Sequence, residues 1–325
     1  MATVLITGGT GMIGQALTKA LIEKGYDIII LTRKPPGAGY VMRDTGSGIA
    51  YPESRIQFAK WDIKTRTIDE DAIKKADHII HLAGAGVADQ LWTKDRKKEI
   101  VDSRVKSGKL ITEVLKRIPN QVKILVSASG IGWYGRDPVI PNPQPFKEED
   151  PAVKDFLGET CRQWEESFSS LEGSGIKLVW LRTGLVLSNQ GGALIEFLKP
   201  LRFGLATILG SGRQMISWIH IDDLVRMYIV AIEGPNINGV YNAVAPGPVS
   251  NEVFVKKLAR IKRKNAYTTV RIPRFILKLV LGEMSIEVLK STTVSPSRIQ
   301  HTGFEFRFRT VEEAFRDIFS PQNSG

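Results

Sequence analysis

Short apolar runs alternate with segments of helical period through the first half of the chain. The runs are rich in Val, Ile and Leu without polar alternation, which is typical of parallel strands buried on both faces. Six are predicted as strands: VLIT (4–7), DIIILT (27–32), IQFAKW (56–61), HIIHLA (78–83), VKILVSA (122–128) and KLVWLRTG (177–184). Helical period over 12–25, 92–117 and 156–172 predicts helices between most of them. This alternation predicts right-handed βαβ units, hence an α/β fold with a doubly wound parallel sheet.

The second half of the chain has a less regular pattern. Beyond about residue 185 the alternation fades, so we expect one domain over 1–184 and a smaller lobe over 185–325, interleaved with late elements of the main sheet. Two loops stand out in the first part. Residues 37–54 are rich in glycine and turn formers and predict a long surface loop, whereas the proline-rich segment 137–155 predicts extended chain.

Composition is that of an ordinary globular protein. Of 325 residues, 42% are hydrophobic and 24% charged, which argues against disorder. No run approaches the roughly 18 apolar residues of a membrane span, and Val4 already opens the first strand, so we expect a cytoplasmic protein without a membrane partner. One cysteine and four histidines form no metal-ligand pattern, so no metal is expected. Cys161, inside a predicted helix, is expected to be a packed side chain rather than a nucleophile.

The net charge of +11 favours an anionic partner. Residues 251–325 hold 14 Lys and Arg against 7 Asp and Glu, an excess of +7. No dense basic run with interleaved aromatic residues is present, so nucleic acid is not expected. An anionic cofactor, or a small and anionic substrate, explains the charge more economically. The pattern leaves the oligomeric state open.

A glycine motif joins the first strand to the first helix. In TGGTGMIG (7–14), Gly8, Gly11 and Gly14 allow a tight turn, a close approach to a pyrophosphate and packing of the helix on the sheet. This context predicts a Rossmann-type dinucleotide site. At the end of the second strand Thr32, Arg33 and Lys34 stand where an acid would select NAD, so NADP(H) is the predicted cofactor.

Longer motifs resemble one family over nearly the whole chain. HLAGAG (81–86), SASGIGWYG (127–135) and LRTGLVLS (181–188) resemble extended short-chain dehydrogenases/reductases. The segments WTKDRKKEIVDSR (92–104), DFLGETCRQWEE (155–166), SWIHIDDL (217–224) and SPSRIQHTGFEFRF (295–308) are similar to its atypical epimerase family, which carries a C-terminal segment of unknown function. The resemblance implies an NADP-dependent oxidoreductase or nucleotide-sugar epimerase.

The resemblance also implies which residues approach the cofactor. Thr10, Met12 and Ile13 would surround the pyrophosphate, and Thr32 with Arg33 would hold the 2′-phosphate. Asp62 would face the adenine. Leu82, Ala83 and Gly84 would pass beneath the adenosine half, and Glu99 and Arg104 on the next helix would approach the cofactor.

The tyrosine and lysine that serve proton transfer in that superfamily are missing. Phe156 or Leu157 stands where the tyrosine belongs, Thr160 or Cys161 where the lysine belongs, and no Tyr-x-x-x-Lys occurs anywhere. Substitutes are sought at the carboxyl end of the fifth predicted strand, where Ser129 and Tyr134 have hydroxyls that could orient a carbonyl or relay a proton. Tyr134 could equally be a packed aromatic side chain.

Three further residues are candidates for binding substrate. Arg182 and the adjoining 188–192 loop lie where family members approach substrate, and Arg298 of the basic C-terminal lobe could close over an anionic ligand. His220 is a candidate acid or base, or a buried polar contact before helix-starting acids. Two functions remain open: an enzyme with noncanonical groups, or a non-catalytic NADP(H)-binding sensor or protein-interaction module.

Overall fold

The computed structural model describes residues 1–34 and 55–320. The predicted surface loop at 37–54 lies outside the described residues. The strands are β1 (Thr3–Thr7), β2 (Asp27–Thr32), β3 (Ile56–Asp62), β4 (Thr67–Ile68), β5 (His78–His81), β6 (Ile124–Gly130), β7 (Lys177–Thr183), β8 (Leu185–Leu187), β9 (Leu205–Leu209), β10 (Met215–Ile216), β11 (Trp218–His220), β12 (Gly239–Ala243), β13 (Val249–Ser250) and β14 (Thr268–Ile272).

The main sheet has eight strands in the order β12-β7-β6-β5-β1-β2-β3-β4. All neighbours are parallel except β4, which runs antiparallel to β3 at the edge. The order reverses between β1 and β5, because the chain leaves β1 in one direction for β2 and β3 and later returns to the other side. The six predicted strands are β1, β2, β3, β5, β6 and β7, so the doubly wound α/β sheet is confirmed.

Some of the helices cover the two faces of this sheet, and the others belong to the later half of the chain. They are α1 (Met12–Glu23), α2 (Glu70–Lys75), α3 (Lys94–Arg117), α4 (Phe156–Glu166), α5 (Ala193–Leu201), α6 (Ile221–Glu233), α7 (Asn251–Arg263), α8 (Arg274–Leu281), α9 (Ser285–Val288), α10 (Ser297–Gln300) and α11 (Val311–Phe319). One core joins α1 and α6 to the sheet through Leu17, Ile6 and Leu224. The opposite core joins α3 and α4 through residues such as Ile111 and Trp164. Apolar side chains on both faces of the central strands therefore have a helix to cover them.

The later half of the chain contributes to both parts of the molecule. β12 extends the main sheet beside β7, whereas a third core around Phe254, Trp218 and Phe315 joins α5, α7, α11 and the short strands β8 and β9. The domain boundary at 184/185 stays a prediction. Residues 137–155 contain no helix, as their prolines predict. None of the helices within 1–34 and 55–320 has the length and apolarity to cross a membrane.

Candidate functional site

The turn between β1 and α1 forms a glycine cradle. Gly8 has φ of 71°, in the left-handed region that favours glycine. A Cβ on Gly14 would lie 2.4 Å from the carbonyl oxygen of Gly8 and 2.5 Å from the Cα of Gly9. Gly11 occupies the N-cap position of α1 but makes no side-chain hydrogen bond, so the first N–H groups of the helix have no side-chain partner. An uncapped helix N-terminus in a tight glycine turn suits a pyrophosphate.

The predicted 188–192 loop comes to this cradle. A Cβ on Gly191 would lie 3.5 Å from Met12 Sδ, and one on Gly192 would lie 3.3 Å from Met12 Cε. Gly192 caps α5 without a side-chain hydrogen bond, as Gly11 does for α1. The structure therefore brings the N-terminus of α5 against the side chain of Met12, the first residue of α1.

A groove of about 1080 Å³ runs past the carboxyl ends of β2 and β3 along α3. Its walls include four of the residues predicted to approach the cofactor: Thr32, Arg33, Asp62 and Glu99. Seven Lys and Arg line it against five Asp and Glu. Lys98 and Lys106 both pair with Asp102, whereas Arg33 and Lys34 form no ion pair with another described residue. These two cations, which have no carboxylate partner within 1–34 and 55–320, give the groove beside Thr32 the charge that a 2′-phosphate needs.

The floor between cradle and groove is the segment after β5. Thr7 Oγ1 accepts hydrogen bonds from the N–H groups of Leu82 and Ala83, both at 3.2 Å, and a Cβ on Gly8 would lie 3.0 Å from the carbonyl carbon of Leu82. This contact holds the predicted Leu82-Ala83 segment against the glycine turn. Gln15 Nε2 donates to the carbonyl of Thr10 at 2.7 Å and fixes the outer side of the turn.

Arg104 supports the next part of the floor. Its Nη1 donates to the carbonyl of Ala85 at 2.9 Å, and its guanidinium lies 5.0 Å from the Trp164 ring centre. A Cβ on Gly84 would lie 3.0 Å from Arg104 Cζ, so a larger residue there would require the Arg104 side chain to shift. Glu99, on the exposed side of α3, accepts from Arg96 Nη1 at 2.7 Å. The structure thus places Gly84 and Arg104 together and Glu99 at the groove.

The position of the missing tyrosine and lysine is apolar. Leu157 and Cys161 face the end of β6: a Cβ on Gly132 would lie 3.0 Å from Leu157 Cβ, and one on Gly130 would lie 3.7 Å from Cys161 Sγ. Cys161 is buried, and burial raises the pKa of its thiol to about 11, which suits a packed side chain. Phe156 instead packs against Trp92, with ring centres 4.9 Å apart. Of the four residues at the candidate positions, Leu157 and Cys161 are therefore the pair that faces the end of β6.

Ser129 and Tyr134 belong to a buried hydrogen-bond network. Ser129 Oγ donates to Glu165 Oε1 at 2.7 Å, and Arg182 binds the same carboxylate through Nε and Nη2, each at 2.9 Å. Arg182 Nη1 donates to Tyr134 Oη at 3.1 Å, and Tyr134 donates to Asn242 Oδ1 at 2.6 Å. The Tyr134 side chain is fully buried, and burial raises the pKa of its phenol to about 12. Tyr134 therefore has the surroundings of a packed aromatic side chain, and its catalytic role stays a prediction.

His220 is the N-cap of α6. Its Nδ1 accepts from the N–H of Asp222 at 3.2 Å, and its ring lies 3.9 Å from that of Phe308. Burial lowers the pKa of His220 to about 4, so the ring is neutral near pH 7. His220, Asp222 and Asp317 place ligand atoms within 4.8 Å of one another. Because Nδ1 accepts a hydrogen bond, the neutral ring carries its proton on Nε2, which then has no lone pair for a metal.

Arg298 lies away from this edge of the sheet. Its guanidinium is 5.2 Å from the Tyr241 ring centre and would lie 3.5 Å from a Cβ on Gly239, at the start of β12. The structure does not bring it together with the glycine cradle at the carboxyl ends of the strands. A substrate role for Arg298 would need a different arrangement, and it stays a prediction.

Sequence reasoning missed Glu165 and Asn242. Glu165 lies on α4 and Asn242 on β12, far along the chain from the strand end that they complete. The available signal was Arg182 itself: a cation inside a strand buried on both faces requires a carboxylate partner.

The parallel sheet, the glycine cradle and the basic groove at the ends of β2 and β3 define a dinucleotide-binding protein of the Rossmann class. A family model described as "NAD dependent epimerase/dehydratase family" matches residues 4–243, and one described as "Domain of unknown function (DUF1731)" matches 272–318. The chain belongs to the NAD dependent epimerase/dehydratase family. The resemblance found in the motifs is thereby confirmed, including the C-terminal segment of unknown function.

Several relatives cover the whole chain. An epimerase family protein of Staphylococcus saprophyticus is 35% identical over 98% of this chain and 99% of its own. The chloroplastic SDR39U1 homolog of Arabidopsis thaliana is 31% identical over 97% of this chain and 86% of its own. The crystal structure of human epimerase family protein SDR39U1 (isoform 2) with NADPH superposes with a TM-score of 0.81, at 27% identity, over 97% of this chain and 98% of that one.

Proposed function

We propose that the protein binds NADP(H) and acts as an atypical short-chain dehydrogenase or epimerase on a small substrate, without a tyrosine-lysine pair. The observation that carries this proposal is the groove at the end of β2. Thr32, Arg33 and Lys34 follow one another there with no acidic residue among them. A 2′-phosphate gains charge-assisted hydrogen bonds there, whereas a 2′-hydroxyl gains less. The NADPH reported with the human relative supports the same cofactor.

The chain's own residues fit such a cofactor along its length. Gly8, Gly11 and Gly14 keep the cradle free of side chains, and the N-terminus of α1 offers N–H groups to a pyrophosphate. Arg33 and Lys34 would hold the 2′-phosphate, and the Leu82–Gly84 segment would support the adenosine half. When bound, the nicotinamide supplies or accepts a hydride.

The function also needs a group that donates a proton to the substrate. Tyr134 donates to Asn242 and accepts from Arg182, so both sides of its hydroxyl are occupied, and its side chain is fully buried. Ser129 Oγ is likewise engaged with Glu165. This geometry favours water at the end of β6 as the immediate proton donor. Ser129 and Tyr134 would then contribute to the structure of the site rather than donate the proton themselves.

Support for an anionic substrate rests on the charge of the C-terminal quarter. Arg182 is committed to Glu165, Tyr134 and the carbonyl of Glu148, so it has no free charge to offer.

A substrate placed between α4 and β6 would meet Leu157 on one wall. We therefore expect a small carbonyl compound or sugar whose apolar side faces α4.

A second candidate function is binding of NADP(H) without turnover, as a sensor or a partner for other proteins. The observation that favours it is the combination of an apolar wall at Leu157 and Cys161 with a buried, fully bonded Tyr134. Among the described residues, no tyrosine-lysine pair stands at the end of β6. Cofactor binding is common to both functions.

Two measurements test the proposal in order. Calorimetric titration with NADPH and NADH should give tighter NADPH binding, and Arg33→Ala should weaken NADPH by about 1.5–3 kcal/mol while leaving NADH unchanged. Arg117→Ala, the same charge change at the far end of α3, is the matched control. Equal affinity for both cofactors would contradict the 2′-phosphate site. Stopped-flow loss of NADPH absorbance across carbonyl compounds and nucleotide sugars then separates the enzyme from the non-catalytic binder.

A further inference from the structure

Helix α8 exposes an apolar face to solvent. The exposed fractions are 71% for Phe275, 84% for Leu279 and 61% for Val280, and Ile276 is exposed as well. Of the eight residues in this helix only Leu277 is buried. Phe275 and Leu279 are four residues apart, as are Ile276 and Val280, so the exposed side chains stand next to one another on the helix. A contiguous apolar surface of this kind marks a binding surface.

The charges on α8 are all positive. Its sequence RFILKLVL contains Arg274 and Lys278 and no acid. Both cations are exposed, and neither forms an ion pair with another described residue. Together with the +7 excess of residues 251–325, they favour an anionic partner.

We propose that α8 docks the protein on an anionic membrane surface. The four exposed apolar side chains would enter the interface between headgroups and acyl chains, with Arg274 and Lys278 at the anionic headgroups. The absence of a membrane-spanning stretch led us to expect no membrane partner, but an interfacial helix needs no such stretch. Eight residues with two cations predict weak, reversible binding that depends on salt and on anionic lipid.

A second copy of the chain fits this surface less well. A two-fold symmetric contact through α8 would place Arg274 and Lys278 of one copy near the same residues of the other. The like charges would then repel each other, and the helix has no acid to compensate them. An anionic lipid surface instead satisfies the apolar and the basic residues together.

The position of α8 connects this surface to the candidate site. Gly282, with φ of 56°, ends the helix, and Glu283 directly after it forms an ion pair with Lys97 in the first turns of α3. Lys97 in turn lies 5.2 Å from the Phe156 ring centre at the start of α4. A membrane docked on α8 would therefore adjoin the edge of the sheet where α3 and α4 begin.

Vesicle co-sedimentation of the full chain tests the proposal. Binding should be measured with vesicles of phosphatidylcholine alone and with added phosphatidylglycerol. We expect the wild-type protein to bind only the anionic vesicles and to be released by high salt. The double variant Phe275→Ser/Leu279→Ser should lose this binding, and Lys278→Gln should weaken it roughly five-fold. Circular dichroism melting checks that each variant remains folded.

Two exposed residues elsewhere provide matched controls. Phe203, 83% exposed after α5, tests whether any exposed aromatic residue suffices, and Lys116 at the end of α3 tests whether any lost cation does. Phe203→Ser and Lys116→Gln should bind the anionic vesicles as the wild type does. Wild-type protein that ignores anionic vesicles would overturn the proposal, as would equal losses in the control variants. Light scattering that shows dimers abolished by Phe275→Ser/Leu279→Ser would assign α8 to a second copy instead.

Discussion

Arg182 and Glu165 form a two-pronged ion pair inside the protein. Arg182 Nε lies 2.9 Å from Glu165 Oε1, and Nη2 lies 2.9 Å from Oε2, with both side chains buried. The guanidinium also stacks 3.5 Å from the centre of the Trp133 ring. The pair joins β7 to α4, which carries Leu157 and Cys161, and so fixes the apolar wall of the site relative to the sheet.

Removing the charge of Glu165 should destabilise the protein. Glu165→Gln leaves the buried Arg182 cation without a carboxylate, so we expect the free energy of unfolding to fall by about 3–5 kcal/mol. Urea unfolding followed by tryptophan fluorescence measures this change. Glu166→Gln, the neighbouring exposed acid, is the control and should cost less than about 1 kcal/mol. A similar small effect in both variants would show that the buried pair contributes little.

Gly14→Ala should disrupt the fold of the cradle, whereas Gly11→Ala should leave that fold intact and act only on the approach of a pyrophosphate. The new Cβ at position 14 would lie 2.4 Å from the carbonyl oxygen of Gly8, so the backbone must move, while at position 11 the nearest atom is 3.4 Å away. We expect Gly14→Ala to lower the melting temperature of the protein. We also expect it to raise the Kd for NADPH by at least about ten-fold, equivalent to roughly 1.4 kcal/mol. Melting curves and calorimetry measure the two effects. If both alanine variants melt at the same temperature, close packing of Gly14 is not what the turn requires.

The buried histidines should make stability depend on acid. Burial lowers the pKa of His220 to about 4 and that of His81 to about 3, both below the usual 6.5. The unfolded chain therefore binds more protons than the folded protein below pH 6.5, and stability is lost as the pH falls from there towards these values. Each histidine adds at most about 1.4 kcal/mol per pH unit to the slope of the unfolding free energy against pH.

His220→Asn isolates this effect, since asparagine is also a good N-cap. The difference in unfolding free energy between wild type and variant should shift in favour of the variant as the pH falls from 6.5 to about 4. Urea titrations at several pH values measure it. A difference that stays constant over this range would contradict the lowered pKa.

Local patterns in the sequence predicted the sheet and the cradle, because the residues that determine them are neighbours. The run DIIILT at 27–32 coincides with β2, and TGGTGMIG occupies the turn into α1. Contacts between distant elements left no such signal. The Arg182–Glu165 pair joins different elements, and Asp137 accepts from Thr293 Oγ1 across 156 positions. Composition also gives no sign that RFILKLVL is exposed, since it cannot tell which apolar helix the fold leaves uncovered.

Tyr134→Phe tests whether this tyrosine is a proton donor or a packed residue. Its hydroxyl bonds both Asn242 and Arg182, so loss of the hydroxyl should lower the unfolding free energy by about 1–3 kcal/mol. NADPH affinity should stay nearly unchanged. If Tyr134 relays a proton, turnover should also fall by about 10²–10⁴, the usual worth of a general acid or base. Turnover that survives in folded Tyr134→Phe would leave water as the donor.

Leu157→Tyr tests whether the apolar wall limits the chemistry. Position 157 faces Gly132 at the end of β6, whereas Phe156 packs on Trp92, so the structure selects 157 over 156 for a restored tyrosine. Its partner variant Cys161→Lys would bury a second cation near Arg104, whose charge already acts on the Cys161 thiol. The single variant should therefore fold better than the pair.

If a missing proton donor limits turnover, Leu157→Tyr should raise the rate of NADPH oxidation on an accepted substrate by about 10²-fold or more. Stopped-flow absorbance measures the rate, and Phe156→Tyr is the matched control at the wrong position. A folded Leu157→Tyr that binds NADPH without any gain would show that the proton donor is not what the site lacks. Absence of turnover in the wild type and both variants across the substrate panel would favour the non-catalytic binder, because cofactor binding would then be the function the site retains.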